Sequence, residues 1–376
     1  MRGWLDTPRK KALLVLGLVF AAIALYIPQY YPSFRVEQFS DVIVTAIAVL
    51  GLGLLTGYNG QISVGHAAFF GVGAYTTAIL AENHGWPFLA TLPPAVILSF
   101  LVGVLVGIPG LRIKGLYLAL VTLALATLFP SIIKRFDETT GGAIGKRIPD
   151  FEAPDWTGLA DDQWVYYVLL AFAVPTFLLV RNLIKSRIGR AIVAIRDNEV
   201  AAEVVGVNLA MYKVTTFGVS AAIAGLAGSL SLALTGRIGF GADGVVVIVS
   251  IEFLAAMVIG GAATIAGAVL GAAFVVFTPE FASDVSPQLS QVIYGGLLIL
   301  LMLVLPSGIM GGVHRLEAWV LARLGRDAQW RPIGGDADTG GDADTAAEPP
   351  NLGAELTGPV GGETDPLSTG GPDAPD

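Results

Sequence analysis

The sequence predicts an all-α polytopic membrane protein with about ten transmembrane helices. Three observations predict it. Hydrophobic residues make up 54% of the 376 residues and charged residues 14%, whereas soluble domains carry about 25% charged residues. Mean hydropathy is +0.70. The apolar runs are continuous and rich in Leu, Ala, Val and Gly, not alternating in segments of about ten residues as a β-barrel requires.

A hydrocarbon core of about 30 Å takes roughly 20 apolar residues per helical span. Spans are expected near 12–30, 39–57, 64–81, 88–109, 115–133, 163–181, 214–236, 245–261, 264–279 and 289–305. The first follows the basic flank MRGWLDTPRKK; no small-residue cleavage site follows it, so a retained helix is expected and not a signal peptide. The second and third flank GYNGQISVGHAAFFGVGAY, Gly57 to Tyr75, where Asn59, Gln61, Ser63 and His66 stand among five glycines. The fourth and fifth are parted by Arg112 and Lys114. The sixth leads into a long basic loop, Arg181 to Lys213. The last three are short enough to merge or re-enter, which would change the count.

Lys and Arg in short loops set orientation. Arg2, Arg9, Lys10 and Lys11 precede the first span. Arg181, Lys185, Arg187, Arg190 and Arg196 follow the sixth, and Arg315, Arg323, Arg326 and Arg331 follow the last. Ten spans put all three clusters on one side, the cytoplasm, with both termini. Segment 134–162, with seven acids against four bases, falls outside.

The net charge of −8 belongs to the tail: ten acids and no Lys or Arg follow Arg331, and the remainder has 22 bases against 20 acids. That tail is rich in Gly, Pro, Asp and Thr and repeats GGDADT, so it is expected to be disordered. There is no cysteine, which excludes disulfides, thiolate metal sites and cysteine nucleophiles. The three histidines are far apart and lack HExxH spacing. GGAIGKR, Gly141 to Arg147, fails as a Walker A motif: Thr140 and Arg147 occupy the places of its first Gly and its Ser/Thr. The chain shows no ATP site of its own.

Three glycine pairs at four-residue spacing, Gly53–Gly57, Gly103–Gly107 and Gly267–Gly271, predict close helix approach. In the 181–213 loop, Ile192, Ile195, Val200, Val204 and Val207 stand near helical spacing. Asp197 and Asn198 can cap a short helix that Gly206 stops. Such a helix either lies on anionic lipid or docks a soluble partner. Glu252, within VIVSIEFLAAMVIGG, either pairs near a helix end or faces a cavity or partner. The Gly57–Tyr75 stretch is open to three readings: a polar turn, an unwound segment lining water or buried in protein, or a relay through His66. No carboxylate stands at helical spacing from that histidine.

Six ordered blocks resemble the membrane permease of branched-chain amino acid ATP-binding cassette importers, the larger of that system's two paired permeases. They are GYNGQISVGHAAFFGVGAYTTAIL, GLRIKGLYLALVTLALA, TTGGAIG, SRIGRAIVAIRDNEVAAEVVGVNLAMYKVTTFGVSAAIAGLAGSL, SIEFLAAMVIGGAATIAGAVLGAAF and YGGLLILLMLVLPSGIMG; they begin at Gly57, and the resemblance as a whole runs over nearly the entire body, roughly Ala12 to Gly312. Relatives of that family import urea, short amides and other small solutes as well. The coupling motif of many importers reads E-A-A-x-x-x-G. Ala201, Ala202 and Gly206 fit it, while Val200 takes the glutamate's place and Glu199 stands one earlier.

The resemblance implies a multi-pass permease of the cell membrane without enzymatic activity or cofactor. ATP hydrolysis would fall to two cytoplasmic cassette ATPases. A paired homologous permease and an extracytoplasmic substrate-binding protein would complete the importer; nucleic acid has no part. The implied organisation is a cytoplasmic flank (1–11), a transmembrane domain (12–313) with a coupling segment (182–213), a basic juxtamembrane segment (314–332) and the acidic tail (333–376). Candidate path residues are Asn59, Gly60, Gln61, Ser63, Gly65 and His66. Candidate coupling residues are Arg190, Arg196, Asn198, Glu199, Ala201, Ala202 and Gly206.

Overall fold

A computed structural model describes residues 24–111, 115–149, 151–242, 244–305, 307–313 and 315. The expected first span lies mostly outside these residues, as do Arg112, Lys114 and the acidic tail. The described chain is helical almost throughout. Its helices are α1 (Ser33–Leu52), α2 (His66–His84), α3 (Phe88–Gly110), α4 (Leu116–Arg135), α5 (Asp137–Thr140), α6 (Asp161–Lys185), α7 (Arg187–Asp197), α8 (Glu199–Val204), α9 (Leu209–Thr235), α10 (Val245–Gly260), α11 (Ile265–Val285) and α12 (Ser290–Val304). A π-helical turn, Gly53–Tyr58, continues α1. Each predicted span from 39–57 to 289–305 falls on one of the longer helices. Seven described helices are long and apolar enough to cross a membrane; α10, at 16 residues, is a shorter apolar helix.

The long helices run alternately between two ends. At one end Lys146–Arg147 (β1) pairs antiparallel with Arg237–Ile238 (β2), and Lys146 Nζ donates to Glu82 Oε2 at 3.0 Å and Asn83 Oδ1 at 2.7 Å, near the end of α2. Arg35, at the start of α1, pairs with Glu280 of α11 at 3.2 Å at this strand end. The opposite end carries α7 and α8 and is called the coupling end below.

Small residues let the backbones meet, because helices in lipid gain their contact from packing and not from water exclusion. Helix α9 packs against α1, α2, α3 and both short helices α7 and α8. Ser220 and Ser229 of α9 donate to the carbonyls of Gly51 (2.6 Å) and Gly73 (3.0 Å). All three predicted glycine pairs sit at such contacts: Gly103 and Gly107 against Ala221 and Phe217 of α9, Gly267 and Gly271 against Gly260 and Ala256 of α10, and Gly53 and Gly57 against Ala262. The fully buried Phe69, Phe217, Leu52 and Leu230 fill the spaces between.

Candidate functional site

The break between α1 and α2 lies at the coupling end. The π-turn widens α1 over its last six residues, a deformation that recurs at functional sites. Gly60 then takes a positive φ of 74°, which a side-chain-bearing residue adopts only at a cost, and residues 60–65 run without helical structure to His66. The loop's backbone is satisfied locally and from neighbours. Thr56 Oγ1 donates to the Gln61 carbonyl at 3.0 Å, the Val64 N–H donates to Thr122 Oγ1 at 3.0 Å, and the Ala67 N–H donates to Ser250 Oγ at 3.1 Å. That last contact meets one of the free donors at a helix start. A Cβ on Gly57 would stand 1.7 Å from the Ala262 carbonyl oxygen, and one on Gly65 1.8 Å from that of Thr122. Both positions are therefore clamped backbone to backbone.

The predicted path side chains are sealed. Asn59 is 3% exposed, Gln61 6%, and Ser63 and His66 0%. Asn59 Nδ2 donates to Gln61 Oε1 at 2.7 Å. Asn59 Oδ1, Ser63 Oγ and both His66 ring nitrogens have no hydrogen-bond partner among the described residues. His66 packs edge-on against Phe69 at 5.9 Å, so a relay through it finds no partner there. Gly60 and Ile62 are exposed, and Tyr58 and Val64 are half-buried.

The coupling segment lies directly on this break. Ser186 caps α7 by accepting from the N–H groups of Ile188 (3.1 Å) and Gly189 (3.4 Å), and Asn198 caps α8 by accepting from Ala201 N–H at 3.0 Å. Asn198 is the cap; Asp197 instead pairs with Arg196 at 2.8 Å. Gly206 ends the segment at φ 88°. Arg196 Nη1 donates to the Gly57 carbonyl at 3.1 Å, and a Cβ on Gly60 would meet Arg196 Cγ at 3.0 Å. Thus two groups of residues nominated separately from the sequence touch through Arg196. Arg190 is exposed and, among the described residues, its side chain donates to the Lys185 carbonyl alone, at 3.4 Å.

The apolar residues of this loop do not share one face. Ile192 and Ile195 are buried with Ala202, whereas Val200, Val204 and Val205 are 69%, 82% and 77% exposed. The first set anchors the segment on the bundle; the second forms an open apolar patch, with Ala201 beside it. Glu199 faces inward instead: Lys213 Nζ of α9 donates to its Oε1 at 2.5 Å. That lysine was not picked out from the sequence. Its signal was the fourteen-residue separation from Glu199 across one tight turn, which has no helical period to reveal it.

Glu252 stands seven residues into α10 and has no salt bridge among the described residues. The reading in which it pairs near a helix end with Lys or Arg does not hold here.

Taken as a class, this is a multi-pass helical membrane protein whose broken helix is contacted by the first of two short helices at one end of the bundle. Residues 36–302 match the family described as branched-chain amino acid transport system / permease component, and the chain belongs to that family. It is 29% identical over 326 residues to the high-affinity branched-chain amino acid transport system permease protein LivM of Salmonella typhimurium, covering 80% of this chain and 75% of that protein. The LivM protein of Escherichia coli is also 29% identical, over 324 residues, with the same shares covered. The permease protein LivH of Escherichia coli is 24% identical over 291 residues, 71% of this chain and 91% of that protein. No solved structure matches. The relationship identifies a membrane transport permease, and the longer match is to LivM, the larger permease.

Proposed function

We propose that this chain is the membrane-spanning permease subunit of an ATP-driven importer that carries branched-chain amino acids (leucine, isoleucine and valine) into the cytoplasm. It works beside a homologous second permease, two cytoplasmic cassette ATPases and an outer binding protein. The observation that carries this reading is the Arg196–Gly57 hydrogen bond, which ties the exposed coupling segment to the broken helix. The names of LivM and LivH, two relatives of one kind of system, support the pairing and the substrate.

In this reading the coupling end is cytoplasmic. Arg181, Lys185, Arg187, Arg190 and Arg196 cluster there, in keeping with the positive-inside preference. With a tenth span at 12–30, both termini lie on that side. The patch of Val200, Val204 and Val205 docks an ATPase. ATPase closure pushes α7, Arg196 moves with it, and the break at 57–65 shifts.

The sealed side chains then act as a gate. Buried polar atoms without partners cost about 1–3 kcal/mol each, so a rearrangement that gives Asn59, Ser63 and His66 partners is favoured. Gln61 and Ser63 enter the path when the gate opens, offering neutral polar groups to a zwitterion.

The test is reconstitution with the four partner subunits and ATP. Leucine uptake that requires ATP, inhibited by isoleucine and valine but not by urea or short amides, is the expected result. Uptake driven by an ion gradient without ATP would overturn the proposal in favour of a secondary transporter.

A further inference from the structure

A cavity of about 640 Å³ opens between α1, α10, α11 and α12 toward the strand end. Its polar lining is Asp41, Thr45, Glu252, Ser290, Gln291 and Tyr294, and its apolar wall includes Phe253, Val275, Val276 and Pro279. Asp41 stands eight residues into α1 and Glu252 seven into α10. Both therefore stand inside their helices and not at the first turn, and both line the one cavity.

A charged side chain in a spanning helix is expensive and normally faces a partner or a pathway. Glu280, close by on α11, has Arg35 and Gln38 as partners. Asp41 and Glu252 have no ion pair among the described residues, and no Lys or Arg lines their cavity. Pro279 interrupts the helical ladder at the cavity wall. It lacks the N–H that would bond the carbonyl four residues back, which is that of Val275, and both residues line the cavity.

The acidic face continues outward. Ser33, Glu37, Asp41 and Thr45 follow each other at four-residue spacing, so they share one face of α1. Ser33 and Glu37 line a second cavity of about 560 Å³ at the helix start, with Glu152, Asp161 and Asp162. Carboxylates thus lead from the outer end of the bundle to Asp41 and Glu252.

We propose that the cavity between α1, α10, α11 and α12 is a substrate station of the transport path, in which Asp41 and Glu252 bind the α-ammonium group of an aliphatic amino acid. The hydroxyls of Thr45, Ser290 and Tyr294 and the amide of Gln291 supply donors for the substrate's carboxylate. Phe253, Val275 and Val276 face its side chain. Urea and neutral amides lack the cation that this pair of acids is built to meet. The assignment rests on the amino-acid importer reading above and sharpens its substrate class.

The test uses the full importer. Membrane-embedded carboxyls are labelled with a hydrophobic carbodiimide in the purified complex and located by mass spectrometry. Label is expected on Asp41 and Glu252, with protection by leucine and by leucinamide, which keeps the ammonium group. Protection is not expected from 4-methylpentanoate, which lacks it, or from urea. Asp41→Asn and Glu252→Gln should each raise the KM for leucine uptake by about tenfold or more, as loss of a hydrogen bond to a charged group does. Glu138→Gln, on α5 away from both cavities, should leave it unchanged. No label on either acid, equal protection by urea, or an unchanged KM in the double variant would overturn the proposal. A wild-type complex that does not import leucine at all would instead overturn the importer reading on which it rests.

Discussion

Two polar regions interrupt the apolar helices of this permease, and they differ in charge and in exposure. The break at residues 57–65 holds Asn59, Gln61 and Ser63, all buried and closed under the coupling segment. The cavity at the other end holds Asp41 and Glu252, both exposed to open space. One region is neutral, clamped and shut; the other is charged, unpaired and open. Polarity inside a membrane protein therefore has two uses: a neutral sealed group can be moved by a neighbouring helix, and an open charge can meet a ligand.

The largest expected effect comes from breaking the clamp at its tightest point. Gly57→Ala puts a Cβ 1.7 Å from the Ala262 carbonyl, so backbone must move, at about 1–3 kcal/mol or more for overpacking. Thermal unfolding of the purified chain should show a clear loss of stability, while Gly85→Ala, where a Cβ meets no atom within 4 Å, should lose only the smaller cost of its positive φ. Next comes Arg196→Glu, which removes the donor to Gly57 and places a carboxylate against a carbonyl. Uptake should fall by about tenfold or more while cassette ATPases still co-purify and hydrolyse ATP. Equal loss of co-purification would assign Arg196 to docking and not to transmission.

Replacing Val200 and Val204 together by Asp sharpens the same distinction. It charges the exposed patch and spares the anchoring Ile192 and Ile195, so ATPase co-purification should drop while the fold persists. The smallest effect is expected from Gln61→Ala with Ser63→Ala. Uptake should fall severalfold with assembly intact, since each lost side chain contributes about 0.5–1.5 kcal/mol. Unchanged uptake would remove these residues from the path.

Much of this fold was legible in the sequence. The nine segments predicted from 39 onward lie on helices, and seven of those helices are long and apolar enough to cross a membrane, because a run of about 20 apolar residues carries its own length requirement. The glycine pairs were legible too, since four-residue spacing defines one helix face. What the sequence hid was which way residues face. Lipid and protein interior are both apolar, so apolar spacing in the 181–213 loop could not separate the anchoring Ile192 from the exposed Val204. Placing the second span at 39–57 left Asp41 near a helix end, where an acid is unremarkable. The helix begins at Ser33, which sets Asp41 eight residues in, on the wall of the cavity that Glu252 also lines. The polarity of Asn59, Gln61 and Ser63 was plain; their burial depends on Thr122, Ser250 and Ala262, which are distant in sequence.

The central claim is that motion of the coupling segment is transmitted to the break. The chain contains no cysteine, so spin labels can be placed at Ile62→Cys and at Ala194→Cys, an exposed position of α7 outside the Val200 patch, in the otherwise native permease within its full complex. The distance between the labels should change between the nucleotide-free and ATP-trapped states, and Arg196→Glu should abolish the change. An unchanged distance in a complex that still imports leucine would contradict the account.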